Sequence, residues 1–214
     1  MASLDNALAC GMTREIFAVE LWRRSAEAYL MAGELSKSGE SWLKAGDKNR
    51  AAELFFESGE DLRAAELFFD CNRFVEALKS ARRCRENSSV EDFPQRIAAQ
   101  LVAAAACSKS GDKKETVDLL RVARAELVES DSDLVPFQAA QAWESLARFG
   151  CRVKRPDLIR LGYEKALAVY GAKFNLQRLR SAYDYLKAVA GDHILESEIE
   201  RRVAEYRHEF TTHK

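Results

Sequence analysis

The sequence has few of the features that mark secreted, membrane-spanning or disulfide-rich proteins. Only three prolines and five cysteines occur among its 214 residues, and no two cysteines form a CxxC pair. Single cysteines in an odd number favour a reducing compartment over a disulfide framework. The sequence also shows no basic and apolar leader and no run of about eighteen apolar residues. We therefore expect a cytoplasmic protein without an export signal or a membrane span.

The familiar catalytic and metal-binding motifs are missing as well. No GxSxG elbow occurs, and the segment from Ser110 to Lys113 lacks the second glycine and the preceding strand of a phosphate-binding loop. The histidines, His193, His208 and His213, have no cysteine or carboxylate partner at metal-site spacing. We therefore expect a protein that is not an enzyme and that holds no cofactor and no metal.

Charge of one sign is not in excess, because 33 Lys and Arg residues oppose 34 Asp and Glu residues and the formal net charge is −1. No overall field therefore attracts nucleic acid. Basic residues still cluster in two places, which are Lys79, Arg82, Arg83 and Arg85, and Arg152, Lys154, Arg155 and Arg160. The first cluster lies at a predicted helix end, where cations oppose the dipole, and the second is interspersed with Asp157 and Glu164. We rank nucleic-acid binding below protein binding.

The strongest pattern is a repeat in the first half of the chain. Gly33, Gly46 and Gly59 stand thirteen residues apart, and Asn72 continues the register. Both residue types tolerate the left-handed conformation that ends helices. Large residues precede each terminator by four and three positions, as Tyr29-Leu30, Trp42-Leu43, Phe55-Phe56 and Phe68-Phe69. Each unit has room for one helix of about nine or ten residues and a short turn.

Helices of this length are marginal alone and become stable when each packs against the next copy. Trp42, Phe55 and Phe68 recur at helical spacing. Such a recurrence indicates a buried core rather than a stacking ladder for bases or a cofactor. The first half of the chain is therefore predicted to be a stack of short helices around an aromatic core.

A polar segment that ends at Pro94 separates this repeat from longer apolar patterns. The boundary predicts two regions of one continuous solenoid, which are 1–92 with about thirteen residues per helix and 93–214 with longer hairpins. The pattern predicts two hairpins and two further helices, over 95–129, 136–171, 175–190 and 193–210. The loop CRVKRP divides the second hairpin, and the apolar face of the last helix is typical of a capping helix.

Parts of the second region resemble tetratricopeptide repeats. The segment SGDKKETVDLLRVARAELVE resembles the second half of such a repeat, with Ala123 at the small-residue site. In the next hairpin, Trp143-x2-Leu146-Ala147 matches the family's W-x2-L-G, and Tyr163-x2-Ala166 matches its later aromatic and alanine. Departures are Thr116 and Ile159 in place of the second-helix alanine, a missing final proline, and a longer loop between the helices of the second hairpin. The short units of the first region look more like the α-solenoids of vesicle-coat subunits and soluble NSF attachment proteins.

The resemblance implies an all-α fold, a right-handed α-solenoid of stacked antiparallel helix hairpins. Tetratricopeptide proteins hold ligands along the concave surface of their first helices. In the second hairpin this surface would present Gln141, Glu144, Arg148 and Arg152. In the first hairpin it would present Ala98, Leu101, Ala105 and Lys109.

We therefore expect a non-catalytic interaction module or scaffold that binds a peptide or helix of a protein partner. The coat-like units suggest an alternative, which is a trafficking adaptor or a regulatory solenoid subunit of a larger ATPase or coat assembly.

Overall fold

The computed structural model describes residues 2–89, 92–129 and 136–170 of the chain. Within these residues every regular element is an α-helix, which confirms the all-α part of the predicted fold class. The helices are α1 (Ala2–Met31), α2 (Leu35–Lys44), α3 (Lys48–Glu57), α4 (Asp61–Asp70), α5 (Phe74–Asn87), α6 (Phe93–Ser110), α7 (Lys113–Glu129), α8 (Pro136–Val153) and α9 (Pro156–Tyr170). The helices predicted over 175–190 and 193–210, with the proposed cap, lie outside the described residues. The chain divides into two compact units, which we call unit 1 (Met1–Asn87) and unit 2 (Ser88–Lys214).

Unit 1 follows the thirteen-residue repeat. Helices α2, α3 and α4 each have ten residues, and their starts are thirteen residues apart. Gly33, Gly46 and Gly59 have φ values of 75°, 85° and 84°, and Asn72 has a φ of 61°. At each turn the next N–H donates to the carbonyl of the aromatic residue five positions earlier, for example from Glu60 to Phe55 at 2.8 Å. This bond defines the Schellman ending of a helix, and four helix ends in succession use it.

The shared turn allows a direct test of the left-handed position. We expect Gly59→Ala to lower the free energy of unfolding by about 1–2 kcal/mol, because a Cβ at positive φ approaches the following carbonyl. The space around Gly59 is open, so only the backbone conformation opposes the methyl group. Gly59→Asn should lower the free energy of unfolding by less than half as much, because asparagine adopts the left-handed conformation at the equivalent position, Asn72. Equal losses for the two variants in urea titrations would contradict this explanation.

Successive helices of unit 1 run antiparallel, and each packs against the next. Trp42, Phe55 and Phe68 have exposed fractions of 5%, 0% and 4%, which confirms that they form the core. Gly39 on α2 leaves room for the Phe55 ring, since a Cβ there would lie only 3.0 Å from a ring carbon. Tyr29 differs from the later aromatics and is 38% exposed, because α1 packs principally against α2 alone among the described helices.

A cation covers each of the first three repeat aromatics, eight residues further along the chain. Lys37 lies over Tyr29, Arg50 over Trp42 and Arg63 over Phe55, with 5.9, 4.4 and 3.9 Å from the cation to the ring centroid. The same cations pair with the acidic residue three positions earlier, at Glu34, Asp47 and Glu60. These contacts join the side chain of one helix to the ring of the preceding one, so the repeat includes charge as well as apolar packing.

The fourth thirteen-residue repeat reverses this charge pattern. Arg73 stands at the acidic position and Glu76 at the basic one, and the two side chains pair at 2.9 Å. The Arg73 guanidinium covers Phe68 at 4.7 Å and also reaches Glu53 on α3 at 2.7 Å. The hydrogen bonds that Arg73 donates to Glu53 and Glu76 raise the pKa of Arg73. The swap keeps a cation on the core aromatic, but this cation follows the turn residue by one position instead of four.

Unit 2 is built around α6. From Ala99 to Cys107 every residue of this helix is buried, and α6 packs against both α7 and α8. Alanine dominates this stretch, so neighbouring helices can approach α6 closely. Helix α8 packs against α6 and against α9.

The second hairpin has a tighter connection than its sequence predicts. Cys151 to Val153 of the predicted loop are helical, and only Lys154 and Arg155 separate α8 from α9. Lys154 adopts the left-handed conformation with a φ of 56°, and the N–H of Arg155 donates to the carbonyl of Gly150 at 2.8 Å. A lysine thus takes the position that glycine holds in unit 1, and the prediction of a longer loop is wrong.

Candidate functional site

The four predicted partner-binding residues share one side of α8. Gln141, Glu144, Arg148 and Arg152 follow one another at intervals of three or four residues, which keeps them on one helical face. Arg148 is exposed, Gln141 and Arg152 are half-buried, and Glu144 is only 8% exposed. The structure therefore places Gln141, Arg148 and Arg152 on an outward strip, and Glu144 at its buried edge.

Small residues on the other faces of α8 explain why this strip is narrow. Ala140, Ala142 and Ala147 are fully buried, and they allow α6 and α9 to approach α8 from its sides. The polar row faces outward between these contacts. The carboxylate of Glu144 lies at the margin of the buried faces, which a sequence pattern for an isolated helix does not reveal.

An aromatic side chain heads the strip and was not predicted as part of it. Phe137 precedes Gln141 by one helical turn and is 43% exposed. Its i, i+4 relation to Gln141 is the signal that identifies it, because the two residues share one face of the helix. We call Phe137, Gln141, Arg148 and Arg152 the α8 strip.

The corresponding row of the first hairpin is not exposed, and its prediction is wrong. Leu101 and Ala105 have exposed fractions of 1% and 0%, and Ala98 is half-buried. Only Lys109, near the end of α6, is exposed. The physical reason is the position of α6, which lies inside unit 2 and contacts helices on more than one side. The candidate surface is therefore confined to α8.

The two basic clusters form defined contacts within their own units. In the first cluster, Arg83 binds Asp61 and covers Phe56, and Lys79 lies 5.3 Å from the centroid of the same ring. In the second cluster, Arg155 donates two hydrogen bonds to Asp157 at 2.8 and 2.7 Å. The Arg155 guanidinium lowers the pKa of the Asp157 carboxyl, and this pairing neutralises part of the cluster.

Metal and membrane-spanning sites are not found in the part of the chain that the structure describes. No group of three or more potential metal ligands comes together among those residues. No helix in the same residues has both the length and the apolar character needed to cross a membrane. Comparison of the chain with protein-family models, curated proteins and solved structures yields no significant match.

Proposed function

We propose that the protein is a non-catalytic interaction module that holds a peptide or helix of a partner on the α8 strip. We further propose that the hairpins follow the right-handed tetratricopeptide-like stacking that their motifs resemble. One observation supports binding at this surface most strongly. Phe137 is a large apolar side chain exposed at the head of a polar row, and the row lies on a helix whose other faces are mostly buried.

The composition of the α8 strip indicates the kind of segment that it fits. An exposed aromatic ring supplies a large apolar area and serves as an anchor at protein interfaces. Two guanidinium groups further along the helix, at Arg148 and Arg152, bind carboxylates in a bidentate manner. We therefore expect a partner segment that carries an apolar residue next to Phe137 and acidic residues along the arginines.

Site-specific crosslinking tests this surface even while the partner is unidentified. A photo-reactive amino acid at position 148 should capture a protein in cells, and the same amino acid at position 121 serves as the control. Arg121 lies on α7, and its side chain is 75% exposed. Recovery of the same proteins from both positions, or of none from position 148, would contradict the proposal. A constant set of assembly subunits would instead favour the adaptor or coat-subunit alternative.

The captured partner then allows a measurement of affinity. We expect the double change of Phe137→Ala and Arg148→Glu to weaken binding by about 30-fold or more, since interface anchors contribute about 1 kcal/mol or more each. Arg121→Glu makes the same charge change on another exposed helix and should leave binding unchanged. Glu144 stays in place because its burial would confuse a loss of binding with a loss of folding. Unaltered affinity in the double variant would remove the α8 strip as the site.

A further inference from the structure

One side of α1 packs against α2 in unit 1, and the contacts define that side. Trp22 lies under the Lys44 ammonium at 4.4 Å, and the hydroxyls of Ser25 and Ser41 lie 3.5 Å apart. Ser38 donates to the carbonyl of Ala26 at 2.7 Å. Residues 22, 25 and 26, together with 29, repeat at helical spacing, so they form one face of α1.

The opposite face of α1 carries an exposed stripe with the spacing of a coiled-coil seam. Its members are Phe17, Leu21, Arg24, Ala28 and Met31, with intervals of four, three, four and three residues. Phe17, Leu21 and Met31 have exposed fractions of 68%, 54% and 85%. A 4-3 interval places successive side chains along one seam, where a facing helix covers them. We call these five residues the α1 stripe.

The charges around the α1 stripe select among possible occupants. Glu20 and Glu27 lie on one flank of the stripe, seven residues apart, and Ala18 and Ser25 lie on the other. Arg24 within the stripe pairs with Glu20 on its flank at 3.3 Å. In an antiparallel pair of two copies, the glutamate flanks would face each other. In a parallel pair, Arg24 of one copy would meet Arg24 of the other inside the seam. Both arrangements of a second copy therefore bring like charges together.

We infer that the α1 stripe binds an amphipathic helix of a different protein. That helix carries apolar residues at 4-3 spacing, lysine or arginine on the flank that meets Glu20 and Glu27, and an acidic residue opposite Arg24. Apolar contact with Phe17, Leu21 and Met31 supplies the buried area, and the flanking charges select the partner. This surface is separate from the α8 strip and does not depend on the function proposed for it.

Two designed peptides test the inference with the full-length protein. Both are helices of about three heptads with leucine and isoleucine along the seam and one central glutamate, and they differ only in lysine or glutamate on both flanks. Fluorescence anisotropy should show that the lysine peptide binds at least about tenfold more tightly than the glutamate peptide. Glu20→Lys with Glu27→Lys should reverse this preference. Equal binding of the two peptides, or no binding of either, would overturn the inference.

A single substitution locates the binding surface. Leu21→Asp places a charge in the stripe at an exposed position and should weaken the lysine peptide by about tenfold or more. Val117→Asp on α7 makes a comparable change at a side chain that is 63% exposed, and it should have no effect. Sedimentation of the unmodified protein should show no self-association through this face. Self-association that Leu21→Asp abolishes would identify a second copy as the occupant and reject the inference.

Discussion

Gly162→Ala is expected to lower the free energy of unfolding of the α8–α9 hairpin by about 2–3 kcal/mol, although alanine is the better helix former. Gly162 on α9 lies against the backbone of α8. A Cβ at this position would come within 2.6 Å of the Ala147 nitrogen and of the Trp143 carbonyl oxygen. Both atoms belong to a rigid helical backbone, so the two helices must separate to admit the methyl group. Their separation exposes the core around Trp143 and Leu146.

An opposite substitution on the same helix isolates the steric effect. Ala168 is an exposed residue of α9, and Ala168→Gly should lower stability by about 1 kcal/mol through helix propensity alone. Helix propensity alone would make Gly162→Ala stabilising. A loss of stability in this variant therefore measures the steric contact with α8. Urea titrations followed by circular dichroism and by the fluorescence of buried Trp143 provide the two values. Unchanged or increased stability of Gly162→Ala would disprove the close approach.

The second large effect concerns the ion pair between α4 and α5 in unit 1. Arg83→Met is expected to lower the free energy of unfolding by about 3 kcal/mol, because it leaves the Asp61 carboxylate buried without its cation. The Asp61 side chain is 5% exposed and the Arg83 side chain 35%. Arg83 donates from Nε to Asp61 at 2.6 Å, donates to the Phe56 carbonyl, and lies 3.6 Å above the Phe56 ring. One side chain therefore joins α5 to both α3 and α4.

Two further variants separate charge from packing. Arg121→Met removes the same group from an exposed pair with Asp118 and should change stability by less than about 1 kcal/mol. The double change of Asp61→Asn with Arg83→Met should recover part of the loss, because no buried charge then lacks a partner. If Arg83→Met is as mild as Arg121→Met, the ion pair does not hold α5 in place.

The local features of this fold were predictable from the sequence. Terminators at Gly33, Gly46, Gly59 and Asn72, with aromatics at fixed positions before them, determine where short helices end. Such signals act within one turn of helix, and the sequence contains them completely. The cation eight residues after each of the first three aromatics was also visible as a spacing, but its meaning depends on the antiparallel return of the chain. Only the structure shows that this return places Arg63 over Phe55.

Features that depend on neighbouring helices could not be predicted in the same way. The burial of Leu101 and Ala105 follows from the central place of α6, and the burial of Glu144 follows from helices on two sides of α8. The family pattern places a small residue at position 159, where this chain has Ile159. The close approach is made possible by Gly150 on α8, which faces Ile159, and by Gly162 on α9. Spacing along α8 thus identified a common face, and packing decided which of its members are exposed.

The turns between the helices of unit 1 are alike, and this likeness determines which changes in chain length the fold tolerates. Deletion of residues 48–60 would remove thirteen positions and connect the Gly46 turn to α4, which begins in the same register as α3. Because consecutive helices alternate in direction, α4 and α5 would each run opposite to their present direction. Deletion of two thirteen-residue repeats would restore both the junction and the direction of the helices that follow it. Insertions and deletions that preserve the direction of α5 should therefore come in pairs of thirteen-residue repeats, which gives the repeat a rule of parity.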